Sequence, residues 1–328
     1  MSERERIDIV LGVLREPSGH VWAEIRPDKA HLAGQLAFVG GKRGRGESPR
    51  EALRRELAEE AGVEVVHARH FAELTWDYPD RRLRLIGFEV TAWHGEPRGQ
   101  EGQRLVRRRL DIAHRADWIA AMPAANRGLV NALVLPRCLA ITPPVDRGET
   151  TEGWIERIAA SLGQLPAGLP VNLRPGGAVS PDIEDWNRLV EAVAASGRPP
   201  VVNPPGEAAF PTGLDTRAGL HLNHHRLTRA TAAEVEHWQT EGRLLTAAAH
   251  DRVTLARADE LGLDLATLSP VRETRSHPGQ AGMGWRAFDE LSARVRLPVM
   301  ALGGVSPADL PEVRRHGGHG IASISAFW

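Results

Sequence analysis

Eight apolar runs, at 138–142, 169–173, 199–203, 219–222, 243–248, 264–268, 297–302 and 320–324, punctuate the second half of the chain. Helix-period patterns fall between most of them, clearest at 151–162, 182–195, 231–241, 252–261, 285–294 and 307–316. A strand that is apolar at nearly every position is covered on both faces, as in a parallel sheet whose crossovers are helices. Eight such strands alternating with helices fit a closed (β/α)8 barrel better than an open sheet. This one pattern assigns residues 136–328 to a barrel domain and leaves 1–135 to a domain of another kind. Two domains also suit 328 residues, at roughly 100–200 residues per domain.

The first 135 residues read differently. Short strand-like runs at 7–14, 21–25, 63–66 and 83–90 surround one strongly marked helix at 48–61, an α+β pattern. Ser48 suits the N-cap, Pro49 the first helical position, Glu51 a capping box and Gly62 a left-handed stop. Ala52, Leu53, Leu57 and Ala61 form the expected buried stripe, with Glu56, Glu59 and Glu60 toward the opposite side.

Composition excludes several function classes. The chain carries 41 Lys+Arg against 42 Asp+Glu, a formal charge of −1, so it lacks the basic surface that displaces counterions from nucleic acid. No run approaches the ~18 apolar residues of a membrane span. The single cysteine, Cys138, can form no internal disulfide, which makes the cytoplasm the expected compartment. Lysine occurs only at Lys29 and Lys42, so the barrel has none for a Schiff base or a phosphate contact.

Glu56, Glu59 and Glu60 stand at i, i+3 and i+4, which crowds three carboxylates on one helical patch. Such a patch is either a solvated acidic face or a hard-cation site, since Mg²⁺ takes oxygen ligands and bridges carboxylates to substrate phosphates. The surrounding residues favour the cation. Gly41, five residues, Glu47, seven residues, then Arg55-Glu56-Leu57-Ala58-Glu59-Glu60-Ala61-Gly62-Val63 resembles the complete Nudix box. The resemblance implies a Nudix hydrolase fold holding Mg²⁺, with Mn²⁺ as a substitute, against a nucleoside diphosphate linkage. It implies Glu56, Glu59, Glu60 and the Gly40 carbonyl as metal ligands, with Arg55 orienting the carboxylates and Glu47 in support.

Flanking segments resemble the MutT-type 8-oxo-dGTP diphosphatases over most of 7–135. They are His31-Leu32-Ala33-Gly34-Gln35-Leu36-Ala37-Phe38, Asp77-Tyr78-Pro79-Asp80-Arg81, Glu101-Gly102-Gln103 and Met122-Pro123-Ala124-Ala125-Asn126. By that resemblance His31, Phe38, Val39, Gly40, Gly41 and Asn126 bind the nucleotide. An Asn amide donates and accepts at once, which suits a base edge. Glu101 matches a further metal ligand, and both Glu56 and Glu101 stand as candidates for the water-activating base. The implied reaction converts 8-oxo-dGTP to 8-oxo-dGMP and pyrophosphate, with no nucleic-acid or membrane partner. Leu36, Ala37 and Val39 depart from the family pattern, and Ile25, beside Arg26, replaces an arginine expected near the base. Arg104-Leu105-Val106-Arg107-Arg108-Arg109-Leu110 is a surface strand, a phosphate-attracting edge or a local irregularity.

Residues 136–328 resemble the thiamine-phosphate synthase and thiazole tautomerase family, a small TIM barrel. Cys138-Leu139-Ala140-Ile141-Thr142, Gly219-Leu220-His221-Leu222, Ala249-His250-Asp251, Ser276-His277-Pro278-Gly279 and Ala301-Leu302-Gly303-Gly304 carry the likeness. Gly303, Gly304, Ala322 and Ser323 occupy the place where such barrels bind phosphate, so a phosphate-bearing ligand is the expected occupant. The family's lysines and aspartates are missing, with Asn203-Pro204 and Asn223-His224-His225 in their places, and Arg174 alone survives. A degenerate barrel is therefore expected. His250 and His277 remain acid/base candidates, and His221, His224 and His225 raise a minor zinc reading. Two alternatives stay open: hydrolysis of a thiamine-pathway diphosphate, and a non-catalytic barrel that regulates the hydrolase.

Overall fold

The computed structural model describes residues 5–27, 32–177, 179–206, 211–274, 279 and 281–328. The chain forms two compact units, Met1–Leu135 and Pro136–Trp328.

The first unit is a mixed sheet between helices. Its elements are β1 (Glu5–Arg15), β2 (His20–Ile25), β3 (Leu36–Ala37), α1 (Pro49–Ala61), β4 (Glu64–Asp77), β5 (Arg81–His94), β6 (Arg104–Arg109), α2 (Arg115–Ala121) and α3 (Arg127–Val134). The order is β3-β2-β1-β5-β4, with β6 on the free side of β2. β1 runs parallel to β5, whereas β2 is antiparallel to β1, β3 and β6. Side chains alternate across a strand, so the two faces feed separate cores. Val10 and Leu14 of β1 pack with Leu53 and Leu57 of α1 on one face. Leu11 and Val13 pack with Trp118 of α2 and Leu129 of α3 on the other.

Helix α1 starts and stops where its sequence signals place it. Ser48 accepts from the Glu51 amide, Glu51 accepts in return from the Ser48 amide, and Gly62 adopts the left-handed conformation. One expectation needs correction: Glu56 does not point away from the core but is 8% exposed. It lies next to Leu57 and three residues after Leu53, at the border of the apolar stripe, where the loop at Gly41 covers it.

The second unit is a closed barrel of eight parallel strands, as the alternation predicts. They are β7 (Cys138–Ile141), β8 (Val171–Leu173), β9 (Pro200–Val202), β10 (Gly219–Leu222), β11 (Leu245–Ala249), β12 (Leu265–Leu268), β13 (Val299–Leu302) and β14 (Gly320–Ser323), closing through β14 against β7. Around them lie α4 (Thr151–Ser161), α5 (Ile183–Ala195), α6 (His224–Arg229), α7 (Ala232–Thr240), α8 (Arg252–Glu260), α9 (Gly284–Ser292) and α10 (Leu310–Arg315). Val171, Leu173, Leu220 and Leu222 join the layer shared with the helices. The intervening Asn172 and His221 therefore face the barrel interior. Among the described residues no helix is long and apolar enough to cross a membrane.

Candidate active site

Two of the α1 glutamates, Glu56 and Glu59, are tied to the preceding loop by one arginine. Arg55 Nε donates to Glu47 Oε1 at 2.8 Å and Nη2 to Glu47 Oε2 at 3.1 Å, a two-pronged pairing. Its Nη1 reaches Glu56 Oε1 at 2.9 Å and Glu59 Oε2 at 3.0 Å, and Nη2 also binds the Lys42 carbonyl at 3.0 Å. Arg55 thus bridges the loop after β3 to three carboxylates. Its hydrogen bonds, with that from the Gly44 amide, hold the Glu47 carboxyl down at about 2.

The loop backbone approaches as closely as glycine permits. A Cβ on Gly41 would lie 2.3 Å from Glu56 Oε2, and one on Gly40, whose φ is 144°, would lie 2.1 Å from the Val10 carbonyl oxygen. The Gly40 amide donates to Glu60 Oε2 at 3.1 Å. Val39 and Gly41 give their carbonyls to the amides of Gly12 and Val10. Among the described residues the Gly40 carbonyl between them accepts no backbone hydrogen bond.

Glu60 sits in excess negative charge. Burial, then the Glu24 carboxylate, push its carboxyl up to about 7, with Glu56 and Glu101 adding to the rise. Glu24 itself is raised by burial and by Glu101. Sequence reasoning missed Glu24. The signal lay in the alternation of β2, which sends Val21 and Ala23 into one core and Trp22 and Glu24 to the α1 face. Gln103 also emerges as a positioning residue: its side chain donates to the Glu60 carbonyl at 3.0 Å and accepts from the Glu101 amide at 2.8 Å.

Among the described residues no three His, Cys, Asp or Glu side chains converge as a ready-made metal cage. Arg55 draws Glu56 and Glu59 to itself while Glu60 turns to Gly40. The donors are nevertheless all oxygen, the carboxylates outnumber their cation, and a backbone carbonyl stands open beside them. That set fits a hard divalent ion of the magnesium kind.

The expected nucleotide contacts divide. His31 lies outside the described residues. Phe38 is 1% exposed and stacks on Trp118 at 5.8 Å, so the structure places it in the core rather than on an open wall. The Val39 side chain is buried against α1, and its carbonyl is taken by Gly12. Their side chains thus pack on opposite faces of the sheet, Phe38 beside Leu36 and Val39 against α1. Asn126 differs. It is 7% exposed, just before α3, and its side-chain amide makes no hydrogen bond among the described residues. Its amide atoms are not among the fully buried unpaired ones, so they stay open to a ligand or a water.

At the barrel mouth, Gly303 and Gly304 follow β13 at positive φ, packed against 270–274, while Ala322 and Ser323 are buried in the neighbouring β14. His221 is buried, bonds Thr246 Oγ1 through Nδ1 at 2.8 Å, and is pushed down to about 3 by burial. His224 and His225 are exposed on α6, so the three histidines do not gather and the zinc reading falls. Helix α6 separates them because Asn223 caps it directly after β10. His250 Nδ1 lies 3.1 Å from Ser269 Oγ, and His277 lies outside the described residues. Asn172 is 0% exposed with both amide atoms unpaired.

Known proteins resemble both units. Residues 5–128 match the NUDIX domain family. The chain is 38% identical over 99 residues to the 8-oxo-dGTP diphosphatase of Escherichia coli (strain K12), covering 30% of this chain and 77% of that protein. The chain belongs to the Nudix family. Its first unit is a pyrophosphohydrolase domain of that family. The Nudix unit is also 34% identical over 100 residues to the CTP pyrophosphohydrolase of the same organism, covering 30% of this chain and 73% of that protein. Residues 183–327 match the thiamine monophosphate synthase family. The putative thiamine-phosphate synthase of Geobacter sulfurreducens (strain ATCC 51573 / DSM 12127 / PCA) is 34% identical over 131 residues, covering 39% of this chain and 57% of that protein. The chain thus spans about half the length of the thiamine-phosphate synthases it matches.

Proposed function

We propose that the Nudix unit is a Mg²⁺-dependent enzyme that hydrolyses oxidised purine nucleoside triphosphates, 8-oxo-dGTP to 8-oxo-dGMP and pyrophosphate. The observation that carries the reading is the carboxylate set of Glu56 and Glu59, held by Arg55, and Glu60, held by the Gly40 amide, beside the open Gly40 carbonyl. These residues, with Glu101, would hold the ion. Bound there, Mg²⁺ neutralises phosphate charge and acidifies water; Mn²⁺ serves in its place. Arg55 keeps the carboxylates in register, and Gln103 fixes the Glu101 loop at the end of α1. Glu56 and Glu101 are the two groups available to accept the proton of the attacking water. The side-chain amide of Asn126 supplies a paired donor and acceptor for the base.

Relatives with purine and pyrimidine substrates make the base the point to test. Measured kcat/KM should be highest for 8-oxo-dGTP in a panel with dGTP, CTP and thiamine diphosphate. CTP leading would move the site to a pyrimidine, and thiamine diphosphate leading would join the Nudix unit to the chemistry of the barrel's relatives.

The barrel is proposed to bind a phosphate-bearing ligand without synthase turnover. Support comes from the unpaired amide of Asn172 and from the absence of any lysine after Lys42. Calorimetry with thiamine phosphate should show binding, and an assay for thiamine-phosphate synthesis should show none.

A further inference from the structure

We infer that Arg104, on the edge strand β6, determines specificity for the base of the nucleotide, an inference that rests on the nucleotide reading above. Antiparallel pairing sets Arg104 opposite Ile25, Val106 opposite Ala23 and Arg108 opposite Val21. Residues directly opposite share a face, with Cβ atoms roughly 4.5–5.5 Å apart. Val21, Ala23 and Ile25 pack in the cluster that holds Leu36, Phe38 and Ala125, so Arg104 leaves the sheet on that face. Leu105 goes to the α1 face instead.

The position is anchored and the charge is uncommitted. Gln103, one residue earlier, is bonded to the end of α1 and to the Glu101 loop. Arg107 is paired with Glu16 and Arg109 with Asp111. The side chains of Arg104 and Arg108 have no ion pair or hydrogen bond among the described residues. Of these two, Arg104 lies at the Ile25 end, where β2 meets β3 and the chain runs on to Gly40.

The face decides what Arg104 touches. The glutamates that would take metal and phosphates belong to α1, on the other side of the sheet. Arg104 shares its side with the cluster containing Ala125, the neighbour of Asn126. Its ligand is therefore the base, and a guanidinium, which only donates, selects a carbonyl edge over an amino edge. The class recognised is a 6-oxopurine, with adenine rejected.

The test compares Arg104→Met with Arg108→Met, a control on the same strand and face, in the full chain. Arg104→Met should raise KM for 8-oxo-dGTP with kcat unchanged and cut the kcat/KM ratio of 8-oxo-dGTP to dATP by about tenfold or more. Arg108→Met should leave both intact. Moving the charge across the pair, as Ile25→Arg with Arg104→Ile, should restore the ratio. An active wild type whose ratio is unchanged by Arg104→Met overturns this inference alone, and a change confined to solubility would assign Arg104 to edge protection. A wild type inactive on every nucleotide removes the parent reading and this inference with it.

Discussion

Arg55 and Gly41 show how few atoms shape the site. Gly41 leaves room for the Glu56 carboxylate that a methyl group at 2.3 Å would displace. Gly41→Ala should therefore lower kcat while the melting temperature moves little, because the flexible end of Glu56 can give way; an unchanged kcat would show that Glu56 need not sit there. Glu60 supplies a pH signature. Its folded-state value of about 7 exceeds the ordinary 4.5, so the folded chain binds more protons than the unfolded one between them. Metal-free stability should then fall as pH rises through that window. Bound Mg²⁺ competes with the proton, so the rise in melting temperature on adding it should grow between about pH 5 and pH 8. A flat response would place the metal away from Glu60. At this scale the sequence made the helix carboxylates legible, because i, i+3, i+4 spacing fixes them on one patch. Glu24 was hidden, since its proximity to Glu60 depends on pairing across the sheet.

Helix α1 carries the carboxylates, and its start is set by a capping box. Ser48→Ala removes a side-chain acceptor for the Glu51 amide, so a loss of about 1 kcal/mol is expected by urea denaturation. Neutral stability would mean that tertiary packing alone holds the first turn. The eight barrel strands were readable because each is a short, mostly apolar run set between helical patterns, and the structure places a strand within or against every one of those runs. Several elements of the Nudix unit were not. β3 has two residues, and α2 and α3 have seven and eight, too short for a helical period to show. β6 was ambiguous because it is an arginine-rich edge, where charge guards unpaired backbone and apolar alternation is lost. Phe38 and Val39, expected as ligand contacts from their place in a motif, have their side chains packed in the two cores of the sheet, which periodicity did not announce.

In the whole molecule a Nudix unit with several carboxylates gathered at one helix is joined to a closed eight-stranded barrel that carries no lysine. Near-zero net charge conceals this division, since the acidic groups that matter are concentrated at one end of one helix and the strands beside it. The central claim is metal-assisted hydrolysis at those carboxylates. It is tested most directly by pyrophosphate release from 8-oxo-dGTP, with and without Mg²⁺, by the wild-type chain and by Glu60→Gln. The account predicts one pyrophosphate per nucleotide from the wild type only when Mg²⁺ is present, and none from Glu60→Gln, whose fold should persist. Release that survives in Glu60→Gln, or that needs no Mg²⁺, would contradict it.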